Sequence, residues 1–265
     1  MERLNRFLTN QDKTNFIKHF ETIKMYENKH LDYCEDRLMK LSGQLDACIN
    51  LGFTLDHPPK LSAMPGKGFK NKVVCDVGSG NAPMASIFAN MGAISHAITR
   101  GPPNKSWYHS SFDNHPNVTW ETGVDYINYS KKNFKDSSID LFLDGCSVTH
   151  FKITSEIVPN DGCYFIGKEI FRTMKDDGYL IVTSDVTLSD LDTGEFISPK
   201  SMIKCFKAAG LKLLEPDGTW PMTTSDNTPA TQPYINRHQV REHEFNDYHV
   251  ARFVFVKDNG VKNNV

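Results

Sequence analysis

The stretch Val73-Val-Cys-Asp-Val-Gly-Ser-Gly-Asn-Ala-Pro83 decides the interpretation of the whole chain. Its first five residues form a short, almost continuous apolar run, which is typical of a parallel strand buried on both faces. Gly78 and Gly80 follow, and then Pro83, a residue favoured in the first turn of a helix. The stretch therefore predicts a strand, a tight glycine loop and a helix whose N-terminal N–H groups face a ligand.

The segments that follow alternate between strand and helix patterns. Helical spacing continues from Pro83 to Gly92 and appears again over Gly162–Lys175 and from Ser198-Pro199 to Gly210. Further strands are predicted at Ile94–Ile98, Asn117–Glu121, Ile139–Asp144, Tyr179–Ser184, Leu211–Glu215 and Val250–Val256. Strands that alternate with helices indicate β-α-β units and a parallel sheet.

The predicted fold is therefore α/β: a Rossmann-like, doubly wound sheet of seven mostly parallel strands, with an antiparallel last strand. The pattern leaves the strand order open. Residues 1–52 show helical spacing instead, and a Pro- and Gly-containing stretch separates them from the sheet. We predict an N-terminal helical cap over the cleft at residues 1–60, a Rossmann-like domain at 61–258 and a polar tail at 259–265.

Composition limits the classes of protein that need consideration. The chain has 265 residues, 39% of them hydrophobic, and a formal net charge of −2, so nothing favours a nucleic-acid partner. No apolar run approaches the ~20 residues that span a bilayer, and the N-terminus does not resemble a secretory signal. The six cysteines are scattered singly, which predicts reduced thiols, a cytoplasmic protein and no metal site.

Two details of the glycine loop favour one nucleotide cofactor over another. A dinucleotide fingerprint needs a third glycine and an acidic residue about 20 positions further on. Here Pro83 stands at the third glycine position, and no acidic residue ends the second strand. Asp76 lies two residues before the first glycine, where its carboxylate repels a pyrophosphate and attracts a cationic amino-acid group. The loop thus favours S-adenosylmethionine, and an NAD-dependent enzyme is the weakest alternative.

The pattern Asp-x-Gly-x-Gly after an apolar strand resembles motif I of the class I S-adenosylmethionine-dependent methyltransferases, and type 11 methyltransferases in particular. Three further segments match in order: Asn133–Asp144, Lys168–Val182 and Phe196 to Leu214. They resemble the family patterns F-x-D-x-S-F-D-x-V, E-x-x-R-x-L-K-P-G-G-x-L-x-V and L-x-x-A-G-F. The resemblance covers about residues 70–257 and implies the family's fold and cofactor.

The resemblance also implies which residues hold the cofactor. Family members usually carry an acidic residue at the end of the second strand, where Thr99 stands here, and a Gly-Asp pair after the third strand. The corresponding residues after the third strand are Gly123-Val124-Asp125. The predicted cofactor-binding residues are Asp76, Gly78, Ser79, Gly80, Asn81, Thr99, Gly123, Val124, Asp125, Asp144 and Gly145.

The candidates for chemistry lie in the loops after the strands. Methyl transfer is an in-line displacement, so a base is needed only if the acceptor must lose a proton. Asp144 and His150 follow the fourth strand and are the predicted catalytic residues, although His150 also suits a packing role. The predicted substrate contacts lie in the insert at 218–249, for which a solvated surface loop is the alternative: Trp220, Tyr234, Arg237, His238 and Arg241.

The predicted function is methyl transfer from S-adenosylmethionine to a small-molecule or saccharide-like substrate, with S-adenosylhomocysteine as product (EC 2.1.1.-). Two alternatives stay open. One is a methyltransferase of RNA or protein. The other is a non-catalytic Rossmann-like scaffold, which Thr99 and Val124 keep under consideration because they replace the usual acidic residues. The sequence leaves the acceptor and the oligomeric state undetermined.

Overall fold

A computed structural model describes residues 4–8, 14, 35–53, 68–79, 83–101, 116–145, 147, 161–187, 197–214 and 248–259. Among these residues the strands are β1 (Arg6–Phe7), β2 (Val73–Val77), β3 (Ile94–Thr99), β4 (Val118–Thr122), β5 (Ile139–Gly145), β6 (Met174–Thr187), β7 (Leu211–Leu213) and β8 (Tyr248–Lys257). The helices are α1 (Glu35–Asn50), α2 (Pro83–Asn90), α3 (Tyr126–Asn133), α4 (Asp161–Thr173) and α5 (Pro199–Ala208). None of these helices has the length and apolar character that a membrane span requires.

The sheet has the order β4-β3-β2-β5-β6-β8-β7. Strands β2 to β6 run parallel to their neighbours, whereas β8 is antiparallel to both β6 and β7. Numbered from β2, the order is 3-2-1-4-5-7-6, the arrangement of the Rossmann-like methyltransferase fold. The predicted fold class is therefore confirmed, and the order supplies a topological switch point between β2 and its neighbours β3 and β5.

The N-terminal prediction is confirmed in one part and wrong in another. Helix α1 follows the expected spacing, but residues 6 and 7 form the short strand β1, antiparallel to β8. The side chain of Asn5 explains why this segment is extended. Its Oδ1 accepts a hydrogen bond from Val254 N at 2.7 Å, and its Nδ2 donates to Leu214 O at 3.2 Å. Residues 15–34 of the segment predicted to be helical lie outside the described residues.

Two other elements differ from prediction. Helix α3 was not predicted. It begins after Asp125, whose carboxylate accepts from Asn128 N at 3.1 Å in an N-cap arrangement, and it buries Tyr126 and Ser130, four residues apart. Strand β6 begins at Met174, directly after α4, instead of at Tyr179. The predicted N-cap at Ser198 with Pro199 at the first helical position is confirmed.

The sheet separates two helical layers and two parts of the core. Alternate residues of a strand face opposite sides, so β2 directs Val74 and Asp76 to one layer and Cys75 and Val77 to the other. The first layer holds α1 and α2, whose apolar side chains cover the face lined by Val74, Leu141, Leu143, Ile181 and Val254. The second holds α3, α4 and α5, which cover the face lined by Cys75, Val77, Phe142, Leu180 and Val182.

A buried carboxylate joins three strands at their amino ends. Asp140 accepts hydrogen bonds from Lys72 Nζ and Lys175 Nζ, each at 2.8 Å, and from Val73 N at 2.9 Å. Burial acts to raise the pKa of Asp140, but the hydrogen bonds from Lys175 and Lys72 outweigh it and hold the pKa below its ordinary value. The ionised carboxylate thus stabilises the edge of the sheet opposite to the one where ligands bind in this fold.

A buried guanidinium attaches α1 to the sheet. Arg252 on β8 is fully buried, donates to Leu4 O at 2.6 Å and to Gly43 O at 3.0 Å, and forms an ion pair with Asp46. Arg6 contacts the same Asp46 carboxylate at 3.3 Å. One side chain therefore connects the N-terminal segment, α1 and the last strand.

Replacing Arg252 with Met is expected to lower the free energy of unfolding by about 3–5 kcal/mol, because the carbonyls of Leu4 and Gly43 lose the guanidinium and Asp46 keeps only its longer contact with Arg6 among the contacts described above. Urea denaturation measures this loss. The matched variant Lys212→Met changes an exposed lysine and should change stability by less than about 0.5 kcal/mol. A loss below about 1 kcal/mol in Arg252→Met would show that the pair does not anchor α1.

Asp140 predicts a specific acid dependence of stability. Because its pKa in the folded state is depressed, its contribution is present above the ordinary carboxylate value and is lost as the pH falls through the folded-state pKa. Below about pH 4 the stability of the wild type should therefore fall more steeply than that of Asp140→Asn. Denaturant titrations from neutral to acid pH measure this difference. Asp177→Asn, which removes an exposed carboxylate, is the control and should follow the wild type.

Candidate functional site

A cleft lies at the carboxyl ends of the parallel strands, beside the switch point. Open α/β sheets bind ligands at this place. The cleft has a volume of about 310 Å³, including space that opens to solvent. Its described lining comes from α1, from the end of β2 and the glycine loop, from α2 and from the end of β5: Lys40, Leu41, Gln44, Asp76, Gly78, Ser79, Met84 and Gly145.

Asp76 provides the buried carboxylate of this cleft. It lies one residue before the end of β2 and shares the face of Val74, which α1 and α2 cover. Its side chain is 5% exposed. A carboxylate at the lining of the cleft attracts a positively charged ligand group by its charge. The structure thus places the most informative predicted residue in the cleft.

The glycine loop is packed against the loop after β5. Gly78 has a φ of +66°, and a Cβ added there would lie 2.0 Å from Ser147 Cβ and 2.1 Å from Ser147 Oγ. The Ser147 hydroxyl lies 2.7 Å from Val77 O and also contacts the Asp144 carboxylate. Gly78 is therefore required for two reasons: its left-handed backbone and the close approach of Ser147.

Asp144, one of the two predicted catalytic residues, is fully buried and has partners within the protein. It is paired in register with Val77 and so lies on the face of α3 to α5, opposite to Asp76. Its carboxylate accepts from Ser147 N at 2.8 Å and contacts the Ser147 hydroxyl. This geometry holds the loop after β5 in place. The roles of Asp144 as base and cofactor contact stay predictions, and His150 lies outside the described residues.

Four of the predicted cofactor-binding residues lie at the end of β3 or directly after β4: Thr99, Gly123, Val124 and Asp125. Thr99 ends β3 and is paired in register with Thr122 of β4. The amide of Val124 donates to Thr99 O at 3.2 Å, and Gly123 donates to Gly101 O at 3.3 Å. The Asp125 carboxylate caps α3, and the Val124 amide donates to Thr99 O. Both groups therefore have hydrogen-bond partners within the protein. These residues lie close together, and their contacts with a cofactor stay predictions.

Sequence reasoning missed the polar residues that α1 brings to the cleft and the β6 side chains that contact them. The Lys40 ammonium lies 2.5 Å from the Asp185 carboxylate, and both side chains are buried. Gln44 donates to Thr183 Oγ1 at 3.2 Å. Lys40 and Gln44 are four residues apart in the segment that was predicted to be helical, so this spacing was the available signal. Ile49, an apolar residue of the same helix, is 49% exposed.

Several predicted residues lie outside the described part of the chain. They are Gly80 and Asn81 of the glycine loop, His150, and the predicted substrate contacts Trp220, Tyr234, Arg237, His238 and Arg241. Within the described ranges, His, Cys, Asp and Glu side chains form no group of three that could hold a metal ion. Of the described cysteines, Cys75 lies beside Asp76, and burial raises the pKa of its thiol well above the ordinary value, which makes it a poor nucleophile.

Comparisons with known proteins find likeness in structure only. No protein-family model and no curated protein matches the sequence. The [4+2]-cyclase SpnF has a TM-score of 0.51 at 14% identity, over 83% of each chain. The 1,6-didemethyltoxoflavin-N1-methyltransferase of Burkholderia thailandensis has a TM-score of 0.49 at 11% identity, over 93% of this chain and 87% of its own. Phosphoethanolamine N-methyltransferase 2 of Haemonchus contortus has a TM-score of 0.48 at 13% identity, over 71% of this chain.

These similarities show the fold and nothing finer. The chain spans about half of the Haemonchus protein, 49% of its length. Among these three structures, the one with a TM-score above 0.5 is named as a cyclase, so a shared fold does not determine the reaction. Together with the strand order, the comparison confirms a class I S-adenosylmethionine-dependent methyltransferase fold. The type 11 subfamily stays a prediction.

The contact between Gly78 and Ser147 can be tested by a double-mutant cycle. Gly78→Ala is expected to lose about 1–2 kcal/mol through its positive φ and a further ~1–3 kcal/mol through overlap with Ser147. Adding Ser147→Gly should restore the second part only, which gives a coupling energy of about 1–3 kcal/mol in urea denaturation. Gly52→Ala is the matched control, because φ is +82° there and no atom lies within 4 Å of the added Cβ. Strictly additive losses would contradict the packing.

Proposed function

We propose that this protein binds S-adenosylmethionine in the cleft and transfers its methyl group to a small-molecule or saccharide-like acceptor. The observation that carries the proposal is the Asp76 carboxylate, which is 5% exposed and lines the cleft at the switch point of the sheet. A buried negative charge at this place suits the cationic amino-acid end of the cofactor and disfavours a pyrophosphate.

The residues at the ends of β3 and β4 fit the adenosine end of the same ligand. The Thr99 hydroxyl is suited to bind a ribose hydroxyl, although an uncharged hydroxyl forms a weaker hydrogen bond than a carboxylate. The backbone at Gly123 is exposed, and no atom lies within 4 Å of the position that a Cβ would take. A planar ring can therefore approach that backbone. The cleft thus offers suitable groups at both ends of the cofactor.

The bound cofactor supplies an electrophilic methyl group on a sulfonium ion. The role of the protein is to align the acceptor with that methyl group and to exclude water. Helix α1 is suited to both purposes, because its Leu41 and Gln44 line the cleft together with Met84 of α2. If the acceptor must lose a proton, Asp144 and His150 remain the predicted bases.

The cover that α1 forms over the cleft favours a small acceptor over RNA or a protein. Macromolecular substrates need an open approach and, for RNA, a basic surface, whereas the net charge of this chain is −2. The second candidate function is a non-catalytic Rossmann-like scaffold. One observation favours it: Asp125, the only acidic residue of the Gly123-Val124-Asp125 segment, caps a helix.

Calorimetric titration with S-adenosylmethionine and S-adenosylhomocysteine tests the proposal. The wild type should bind both, and Asp76→Asn should weaken binding of each by roughly ten- to hundredfold, because a charge-assisted hydrogen bond contributes about 1.5–3 kcal/mol. Asp140→Asn is the matched control, since it changes a buried carboxylate at the opposite edge of the sheet, and it should leave both affinities unchanged.

Failure of a folded wild type to bind either ligand would refute the proposal and favour the scaffold. If Asp76→Asn binds as tightly as the wild type, the ligand lies elsewhere. Where binding is found, incubation with methyl-labelled cofactor and panels of small-molecule, saccharide, RNA and protein acceptors distinguishes the remaining alternatives.

A further inference from the structure

Gln44 on α1 carries a buried hydrogen-bond acceptor that finds no donor in the described part of the chain. The side chain is 1% exposed and lines the cleft. Its Nε2 donates to Thr183 Oγ1 at 3.2 Å, whereas its Oε1 has no hydrogen-bond partner among the described residues. Most buried polar groups in folded proteins are paired, so an unpaired oxygen at a cleft needs a specific reason. A ligand group that donates a hydrogen bond supplies one.

The hydroxyl of Thr183 determines which way the Gln44 amide faces. A threonine hydroxyl has a single hydrogen, and that of Thr183 is directed to Asp144 O, at an oxygen–oxygen distance of 3.4 Å. Towards Gln44 the hydroxyl can then only accept, so the amide nitrogen lies beside Thr183 and the amide oxygen is directed away from it. The reverse orientation would place two acceptors against each other. Because Thr183 is fully buried, Oε1 is held in one orientation.

The position of this amide across the sheet favours contact with the methyl acceptor over contact with the cofactor. In the proposed function, the cofactor extends from the ends of β4 and β3 to Asp76 on β2. Thr183 belongs to β6, which lies two strands from β2 on the other side, a separation of about 10 Å. A Cβ added to Gly145, the last residue of the intervening strand β5, would lie 3.8 Å from Gln44 Nε2. Gln44 thus lies over β5 and β6, on the side that this placement of the cofactor leaves open.

The apolar neighbours of Gln44 make its oxygen selective. Leu41 and Met84 line the same cleft and are both buried, so the body of a small molecule can pack against them. A donor group on that molecule needs a partner once water is excluded, and Gln44 Oε1 provides it. An amide accepts hydrogen bonds but does not take up a proton at neutral pH. The contact therefore selects and orients a methyl acceptor without acting as a base.

We propose that Gln44 Oε1 selects methyl acceptors that present an N–H or O–H group. The inference rests on the proposed function and deepens it, because it names the chemical class of the methyl acceptor. That class comprises primary and secondary amines and hydroxyl compounds, saccharides among them, and it leaves out tertiary amines, ethers and thioethers. Helix α1 thereby determines specificity besides covering the sheet.

Paired probes test this selection on the complex of the protein with S-adenosylhomocysteine, which leaves the place of the methyl acceptor free. Each pair consists of an N–H or O–H compound and the counterpart in which methyl groups replace those hydrogens. The pairs are cyclohexanol with cyclohexyl methyl ether, aniline with N,N-dimethylaniline, and methyl glucoside with its fully O-methylated form. Titrations followed by saturation-transfer NMR give the Kd values. The wild type should bind the N–H or O–H member of at least one pair about two- to tenfold more tightly, the range for a neutral hydrogen bond.

Two variants assign the preference to Gln44. Gln44→Met removes Oε1 and nearly preserves the size of the side chain, so the two members of each pair should bind with about equal affinity. Its affinity for S-adenosylhomocysteine should stay within about twofold of the wild type. Leu45→Met is the matched control. It introduces the same residue at the next position of α1, which is also buried but belongs to the core and not to the cleft lining, and it should keep the wild-type preference.

A folding defect would not hide the answer. Gln44→Met leaves the buried Thr183 hydroxyl without the donor that it has in the wild type, which costs stability. The double substitution Gln44→Met with Thr183→Val replaces both partners with apolar groups of similar shape, a change that proteins tolerate better. Circular dichroism verifies that the double variant is folded. It should show the same loss of preference and the same retained affinity for S-adenosylhomocysteine.

Three results would overturn this inference while the cofactor site stands. In the first, Gln44→Met weakens binding of S-adenosylhomocysteine tenfold or more, which would show that Oε1 binds the cofactor. In the second, the methylated members bind the wild-type complex as tightly as their counterparts, or no probe binds it. In the third, Gln44→Met keeps the wild-type preference. If the folded wild type does not bind S-adenosylhomocysteine at all, the inference and the proposed function both fail.

Discussion

The candidate site depends on the buried pair of Arg252 and Asp46. Moving a guanidinium out of water costs several kcal/mol unless its donors find acceptors, and here the carbonyls of Leu4 and Gly43 complete the set. Arg252 belongs to the last strand, whereas its partners belong to the first 46 residues. Because Lys40 and Gln44 lie six and two residues before Asp46 in the same helix, the pair that attaches α1 to the sheet also positions these two residues at the cleft.

Alternation along the strands decides which carboxylate faces a ligand. Asp76 and Asp144 both lie at the carboxyl ends of neighbouring strands, and sequence reasoning placed them in one site. Their registers assign them to opposite faces, because Asp144 is paired with Val77 and not with Asp76. Asp76 lines the cleft, while Asp144 holds Ser147 against Gly78. Gly78, which the sequence predicts to be part of a ligand-binding loop, is thus also needed for its close contact with Ser147.

The parts of the structure that were predictable depend on local chemistry. The apolar run before Gly78 and the cap at Ser198-Pro199 each act within a few residues, and both elements formed as expected. Strand β1 was missed because its partner lies more than 240 residues away in the chain. Helix α3 was missed because its only strong signal is the Asp125 cap. The positions of Lys40 and Gln44 in the cleft were missed because they depend on the packing of α1 against β6.

These observations separate binding from catalysis. The Asp76 carboxylate at the switch point favours a cationic ligand group whether or not a methyl group leaves it, and the fold is shared with a protein named as a cyclase. In the proposed function, binding depends on Asp76, which β2 places at the lining of the cleft. In the same proposal, the choice of acceptor depends on loop residues, which we predict after β5 and in the insert at 218–249. If so, cofactor recognition can be retained while loop residues change the acceptor, and the sequence accordingly indicates the ligand more clearly than the substrate.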